Sequence, residues 1–367
     1  MLISRRSICT GIATMLVGRG GVSSEANAAS GPTHSQLPFG LAGNSYYSGP
    51  VSDHFDGAQF FNTSPTTNDK TVWDWFRWQL TSRPTPWPES VPVNFVSPAP
   101  RSDPMRMTFV GHATVLIQVR GFNLLTDPVW SERAGPWPLL SPKRVCPPAV
   151  AFDNLPRIDA VLLSHNHDDH LDFEALRRLV SRDSPVILTP LGNDALVRQS
   201  IPEARVDGYD WWRSRSLAKD LEITLVPSQH WSLRRPWDRR MALWGGFAVR
   251  VGDELIYFAG DTGYGDGGVF TAIRRRLGQP DVALLPLGAY EPRWLMVDNH
   301  VNPDEAVRIF QDLGARQGIG MHWGVFRLSD EGRDAPRVAL ASALTKNGIE
   351  PGRFTAAEPG FVWNAPS

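Results

Sequence analysis

Cysteine is nearly absent from this 367-residue chain: Cys9 and Cys146 are the only two, too few for a disulfide framework. Neither sign of charge is in excess, with 37 Lys and Arg against 38 Asp and Glu and a formal net charge of −1. That balance excludes a surface built to grip nucleic-acid phosphates. No run stays apolar over the roughly 20 residues that a membrane-spanning helix takes. Gly-rich nucleotide loops and the Gly-x-Ser-x-Gly elbow of serine hydrolases are also missing. Glycine and proline, at 32 and 31, follow no period, which excludes a collagen-like chain and implies many turns. What is present, 42% hydrophobic and 20% charged residues, makes a folded, enzyme-sized chain with an ample core. Fourteen Trp imply packed aromatic surface or an apolar binding region.

The first residues read as an export signal. Arg5-Arg6 is a twin-arginine pair, Ile8 to Val17 is weakly apolar, and Ala26-Asn27-Ala28 offers a small-x-small cleavage site. Ile8-Cys9-Thr10 departs from the usual Phe-Leu-Lys. The expectation is a signal over residues 1–28 and an exported, periplasmic or envelope-associated protein, in which Cys146 alone remains. Residues 29–100 form an irregular lead packing on the core. Within it Trp73, Phe76 and Leu80 recur at helical spacing, which predicts a helix over 71–80 whose stripe packs inward.

From Met105 the pattern becomes regular. Short apolar runs predict strands at 107–110, 115–119, 122–126 and 160–163, and again at 223–226, 246–251, 255–258, 282–285 and 318–321. Helices are predicted at 171–179, 194–198, 271–277, 304–313 and 338–345. Two strand-then-helix halves of similar size predict one α/β domain of two packed sheets flanked by helices.

The chemistry concentrates at Ser164-His165-Asn166-His167-Asp168-Asp169-His170. On a helix, positions i and i+2 point to nearly opposite sides, so this is not a helical His-pair site. On a sharp loop leaving a strand, His165 and His167 can converge on one ion, Asp169 and His170 on another. Imidazole and carboxylate suit zinc and its first-row neighbours. Two ions need further ligands, and three isolated candidates stand just beyond predicted strands: His230, Asp261 and His322. His230 would complete the first ion, His322 the second, and Asp261 could bridge both.

These motifs resemble the metallo-β-lactamase superfamily. They resemble more closely the phospholipases D that hydrolyse N-acylphosphatidylethanolamine. The runs that carry this are Gly111-His112-Ala113-Thr114, Leu125-Thr126-Asp127-Pro128, Ser164 to His167, Pro227 to Trp231, Phe258 to Tyr264 and Gly288-Ala289-Tyr290-Glu291-Pro292-Arg293-Trp294, within residues 105–347. The resemblance implies a four-layered αββα sandwich over residues 101–367. It implies two Zn(2+) ions, or other first-row divalent metals, on His165, His167, Asp169, His170, His230, Asp261 and His322. It places Asp168 and His300 at substrate-contact positions, the former occupied by Tyr in the animal enzymes.

The expected activity is phosphodiester hydrolysis of an N-acylphosphatidylethanolamine-like phospholipid to phosphatidic acid and N-acylethanolamine. A metal-bridging hydroxide would serve as nucleophile, with Asp169, Asp261 and His300 as the catalytic set. The alternatives are hydrolysis of a smaller phosphodiester or a lactone on the same fold, or a non-enzymatic exported metal-binding protein. Asp127 and His112 either orient metal-bound histidines or cap turns. The loop Trp130 to Arg144, with Trp137, Leu139 and Leu140, is either a peripheral membrane-contacting edge or an ordinary packed loop. The Arg-rich stretch Arg234, Arg235, Arg239 and Arg240 either attracts an anionic substrate or is solvated surface. Protein from a native envelope fraction is expected to begin at or near Ala29, and Arg5→Lys with Arg6→Lys to hold it in the cytoplasm; unchanged export of that variant refutes the signal.

Overall fold

The elements stack in four layers, helix–sheet–sheet–helix, because both faces of each sheet carry apolar side chains that need cover. The computed structural model describes residues 43–63, 70–137 and 140–366. The export signal, His34 and Leu139 lie outside the described residues. The first sheet contains β1 (Arg106–Gly111), β2 (Thr114–Val119), β3 (Phe122–Thr126), β4 (Ala160–Leu162), β5 (Val186–Pro190) and β6 (Arg205–Tyr209). The second contains β7 (Ser214–Ala218), β8 (Leu221–Val226), β9 (Gly246–Val251), β10 (Glu254–Phe258), β11 (Val282–Pro286), β12 (Gln317–Met321) and β13 (Phe354–Ala356). The chain then returns, and β14 (Val362–Asn364) pairs with β1 at the edge of the first sheet.

The sheets share one plan. Antiparallel hairpins β1–β2–β3 and β7–β8–β9–β10 lead into parallel runs β4–β5–β6 and β11–β12–β13. Period-two alternation sorts the side chains. Val115, Ile117 and Val119 of β2 meet Phe247, Val249 and Val251 of β9 between the sheets. Leu116 points to the layer of α2 (Phe173–Asp183) and α3 (Asn193–Ser200), whose Leu176, Leu179 and Val197 cover that face. On the other side α4 (Gly268–Leu277), α6 (Pro303–Leu313) and α7 (Ala335–Lys346) cover the second sheet with Phe270, Ile309, Phe310 and Leu344.

Helix α1 (Val72–Thr81) forms as its spacing predicts, started by a Thr71/Asp74 capping box. It packs onto the domain as expected, but by another face than the Trp73, Phe76 and Leu80 stripe: Trp73 is 77% and Leu80 81% exposed, while Trp78 is buried. The Trp78 indole N–H donates to Asp330 at 3.0 Å and the Ser82 hydroxyl to the same carboxylate at 2.6 Å. A polar handle that Phe76 and Leu80 lack thus decides which face turns inward.

Residues 44–62 run as a strap along the second sheet's loops. Phe55 and Phe60 enter the inter-sheet core at 1% exposure each, worth about 2 kcal/mol apiece in burial. Beside them His54 sits between Asp53 (2.6 Å) and Asp210 (2.7 Å), stacked on Trp211. Burial pushes this imidazole down, but its bonds to Asp210 and Asp53 outweigh that and raise it above the ordinary value. The link therefore stabilises the fold fully below the unfolded imidazole pKa of about 6.5 and is lost as pH rises through the raised folded value. His54→Gln is expected to cost about 1 kcal/mol at pH 6, discounted for the exposure of Asp53. Urea titrations should find the gap to wild type closing as pH rises; a gap constant from pH 6 to 9 contradicts the assignment.

Candidate metal centre

Seven side chains from four strand ends meet where the two sheets face each other. Strand β4 ends at Leu162, and the next eight residues fold tightly, with His170 and Leu171 N–H groups donating to His167 O at 3.0 and 2.9 Å. Asp172 ends the loop by capping α2: one carboxylate oxygen accepts from Glu174 and Ala175, the other from Trp130 and Ser131. From the second sheet, β8 leads to His230, β10 to Asp261 and β12 to His322, the strand ends where α/β sheets gather their sites. At Gly260 (φ +60°) a Cβ would stand 2.7 Å from that of Ser164, so only glycine lets the chain pass beside Asp261.

The ring nitrogens stand within hydrogen-bonding distance of one another. His165 Nε2 lies 2.9 Å from His167 Nδ1, which is 3.2 Å from His230 Nε2. In the second group His170 Nε2 and His322 Nε2 are 3.1 Å apart, with Asp169 Oδ2 at 3.6 and 3.4 Å. Asp261 Oδ2 stands between the groups, 3.2 Å from His170, 3.1 Å from His322 and 3.8 Å from His230. Ligands bound tetrahedrally at about 2.0–2.1 Å are separated by about 3.3–3.4 Å, so these spacings are those of atoms that share an ion. Asp261 Oδ1 and His322 Nδ1 are buried with no hydrogen-bond partner among the described residues. The donor set fits two divalent cations.

The place of Asp127 at a strand end leaves its role open between orienting group and turn cap; its contacts are those of an orienting group. Its Oδ2 accepts from His170 Nδ1 at 2.6 Å and from the Ser164 hydroxyl at 2.6 Å, while Oδ1 accepts from Ser164 N–H at 2.7 Å. The Ser164 oxygen in turn accepts from His165 Nδ1 at 2.9 Å. One buried carboxylate therefore fixes the tautomer of a histidine in each group and leaves both Nε2 lone pairs facing the centre. His112 bonds Asp169 Oδ2 through Nε2 at 2.9 Å, and its carbonyl accepts the His322 N–H at 2.7 Å. Asp127, His112 and His322 all have positive φ, at 28°, 57° and 57°. Such backbone costs of order 1–3 kcal/mol each and collects at functional sites.

Charge follows this layout. Burial depresses His165, His230 and His167, the last to about 4, leaving neutral imidazoles with lone pairs to offer. Burial pushes Asp261 and Asp169 up, but His170 and its neighbours outweigh it and hold both carboxyls well below the usual range. On His322, burial is outweighed by Asp261, and the imidazole rises to about 9. The carboxylates draw positive charge into the centre, which a divalent cation supplies in place of protons.

His300 stands over the same group, Nδ1 3.8 Å from Asp261 Oδ2, and burial lowers it to about 4. Its carbonyl accepts from Arg293 at 2.9 Å, and Arg293 is gripped by both oxygens of Glu305 at 3.0 and 2.7 Å. The run Gly288 to Trp294 thereby holds the histidine through its backbone. Asp168 is oriented otherwise: its carboxylate pairs with Arg234 at 2.9 Å. The sequence carries no signal for Asn62, which bonds the His230 main chain, for Asn299, whose carbonyl accepts from His230 Nδ1 at 3.0 Å, or for the role of Ser164 in its motif. A lone Asn, a Ser and a main-chain oxygen carry no spacing signal.

Comparison with known proteins agrees with this geometry. The model of the beta-lactamase superfamily domain matches residues 122–323. An uncharacterised protein of Mycobacterium tuberculosis (strain H37Rv) is 36% identical over 83% of this chain and 81% of its own. N-acyl-phosphatidylethanolamine-hydrolyzing phospholipase D 1 of Caenorhabditis elegans is 35% identical over 70% of this chain and 75% of its own. Among solved structures, an isothiocyanate hydrolase from Delia radicum gut bacteria superposes with a TM-score of 0.56 at 23% identity, covering 71% of this chain and 98% of that one.

Elemental analysis is expected to find two divalent ions per chain, and Asp261→Ala to lower both occupancies. One ion in the wild type, or two retained in the variant, sinks the shared centre.

Proposed function

Since the chain belongs to the metallo-β-lactamase superfamily and is a metal-dependent hydrolase, we propose that its centre hydrolyses a phosphodiester of the N-acylphosphatidylethanolamine class in the manner of a phospholipase D. The observation that carries this is the 35% identity to the Caenorhabditis elegans phospholipase across three quarters of that protein. Two zinc ions are the proposed cofactors, one on His165, His167 and His230, the other on Asp169, His170 and His322, with Asp261 serving both. Bound there, divalent cations supply Lewis acidity toward a phosphoryl oxygen and activate water. The non-enzymatic reading is set aside by membership in a family of hydrolases.

The chain's own groups do the rest. Asp127 and Ser164 keep His170 and His165 aimed at the centre. His300, held through Arg293 and neutral at working pH, donates an N–H hydrogen bond to a non-bridging phosphoryl oxygen, a kind of contact worth about 10²–10³ in rate. The bond that breaks joins phosphorus to the ethanolamine oxygen; water adds to phosphorus, leaving phosphatidic acid and N-acylethanolamine. The pair Asp168–Arg234 removes a bare carboxylate from the substrate's path. Short helix α5 (Arg293–Met296) lies just before His300, with Trp294 and Val297 exposed and Arg77 of α1 over the Trp294 ring. Trp73 and Leu80, four residues before and three after Arg77 on the same helix, are exposed as well, and such aromatic, apolar and cationic groups suit a lipid headgroup layer and peripheral membrane contact of an exported protein.

One assay series tests this. Metal-replete protein is offered vesicles of N-acylphosphatidylethanolamine, phosphatidylcholine, soluble bis-p-nitrophenyl phosphate and simple lactones. Release of N-acylethanolamine is expected; turnover of lactones alone refutes the phosphodiesterase. Trp73→Ser with Leu80→Ser should slow the vesicle substrate only. His300→Gln should keep metal and fold while kcat falls at least about tenfold, roughly 1.4 kcal/mol; normal turnover returns His300 to the scaffold.

A further inference from the structure

The strap of residues 44–62 lies outside the stretch that matches the superfamily model, yet it holds the loop that delivers one of the ligands. The Asn44 side chain donates to Met241 O at 2.8 Å, the Tyr46 hydroxyl to Asp238 at 2.8 Å, and Phe60 N–H to Arg240 O at 2.8 Å. These contacts hold residues 238–241 of the loop that begins at His230 and ends at Trp244. The strap's last contact reaches the ligand itself. Asn62 Nδ2 donates to His230 O at 3.0 Å, and Asn62 Oδ1 accepts from His230 N–H at 3.4 Å and from the Trp244 indole at 3.0 Å.

His230 is fully buried and, among the described residues, outside the ladder of any strand. Its peptide N–H and C=O would lack partners without an external amide, a costly state for buried backbone. Asn62 is that amide, standing in for a neighbouring strand. His165 and His167 reach the centre from the first sheet, and from the second His230 completes their group beside the shared Asp261. The other group takes its second-sheet ligand from His322, whose N–H is bonded by His112. The strap therefore touches one half of the centre.

We propose that Asn62 is a positioning residue for the ion held by His165, His167 and His230, and that the strap is a working part of the metal centre. The inference rests on the two-ion reading given above. Holding the His230 peptide on both sides fixes where its Cα–Cβ bond starts, and the Asn299 carbonyl fixes the ring; together they place Nε2 beside His167 Nδ1. Loss of such supporting partners lowers metal affinity by about 10–100-fold.

The test uses the full chain loaded with Zn(2+), each ion's affinity being read by chelator competition, and the Co(2+)-substituted protein read by its absorption spectrum. In Asn62→Ala one ion is expected to weaken by about 10–100-fold while the other is unchanged, with the cobalt spectrum of the weakened site alone altered. Trp244→Phe keeps the ring in the core but removes the donor that holds Asn62 Oδ1. It should weaken the same ion to a smaller degree, and it carries the test should Asn62→Ala fail to fold. Wild-type affinity at both sites in the folded variants overturns the proposal. So does equal weakening of both ions together with a fall in the melting temperature of the metal-free protein, which marks a purely structural role. A wild type that holds fewer than two ions refutes the two-ion reading before any substitution is made.

Discussion

A carboxylate with 1% of its side chain exposed, Asp261, sits within 3.8 Å of imidazole nitrogens from four histidines: His170, His230, His300 and His322. Burying an ionised group costs several kcal/mol unless opposite charge and hydrogen bonds compensate it. Asp261 is buried and Asp169 nearly so, and the surrounding residues follow from that. Five histidines, His112, His170, His230, His300 and His322, place a ring nitrogen within 3.8 Å of one or both carboxylates. Asp127 and Ser164 fix which nitrogen faces the centre in His170 and His165, and the backbone is bent into positive φ at His112, Asp127 and His322 to reach the geometry. The stability spent there has to come from the apolar layers around it.

Those layers also decide whether the centre exists. Neither sheet can assemble an ion site alone: His165 and His167 come from the first sheet and His230 from the second, Asp169 and His170 from the first and His322 from the second. The contact of β2 with β9 side chains across the inter-sheet core is thus a condition for ligation. Cations that bind both halves would reciprocally hold the sheets together, coupling folding to metal. The returning strand β14 and the strap, with Phe55 and Phe60 in the same core, close the seam from the chain's two ends.

How much of this is legible in the sequence depends on how local each signal is. The strands that precede ligands are short apolar runs bounded by turn residues, and most fall within one or two residues of their expected bounds. Three His within six positions announce the loop after β4, and the isolated His230, Asp261 and His322 become visible by lying just past such runs. The strands β6 and β7 escape notice because edge position leaves them polar, as in Arg-Val-Asp-Gly-Tyr and Ser-Arg-Ser-Leu-Ala. β13 and β14 are only three residues long. α1 is legible as a helix but not as to its face, because the inward choice depends on Asp330, some 250 residues away in sequence. Asn62 belongs to the same class: its partner is 168 positions off, and no periodicity points to it.

The departure at Asp168 shows how one substitution is absorbed electrostatically. A carboxylate beside a site for an anionic phosphodiester would repel substrate, and its burial already pushes its pKa upward. Arg234 answers both: it pairs with Asp168 at 2.9 Å, donates to Leu171 O at 2.7 Å and stacks on Phe173, so its position is tied to the start of α2. Asp238, through the N–H groups of Arg234 and Arg235, ties that arginine's backbone to Tyr46 of the strap. Asp168 is therefore paired with a group whose own placement depends on the same N-terminal segment that reaches His230. The Asp168–Arg234 pair and the ligand loop share one support, so a change in the strap reaches both.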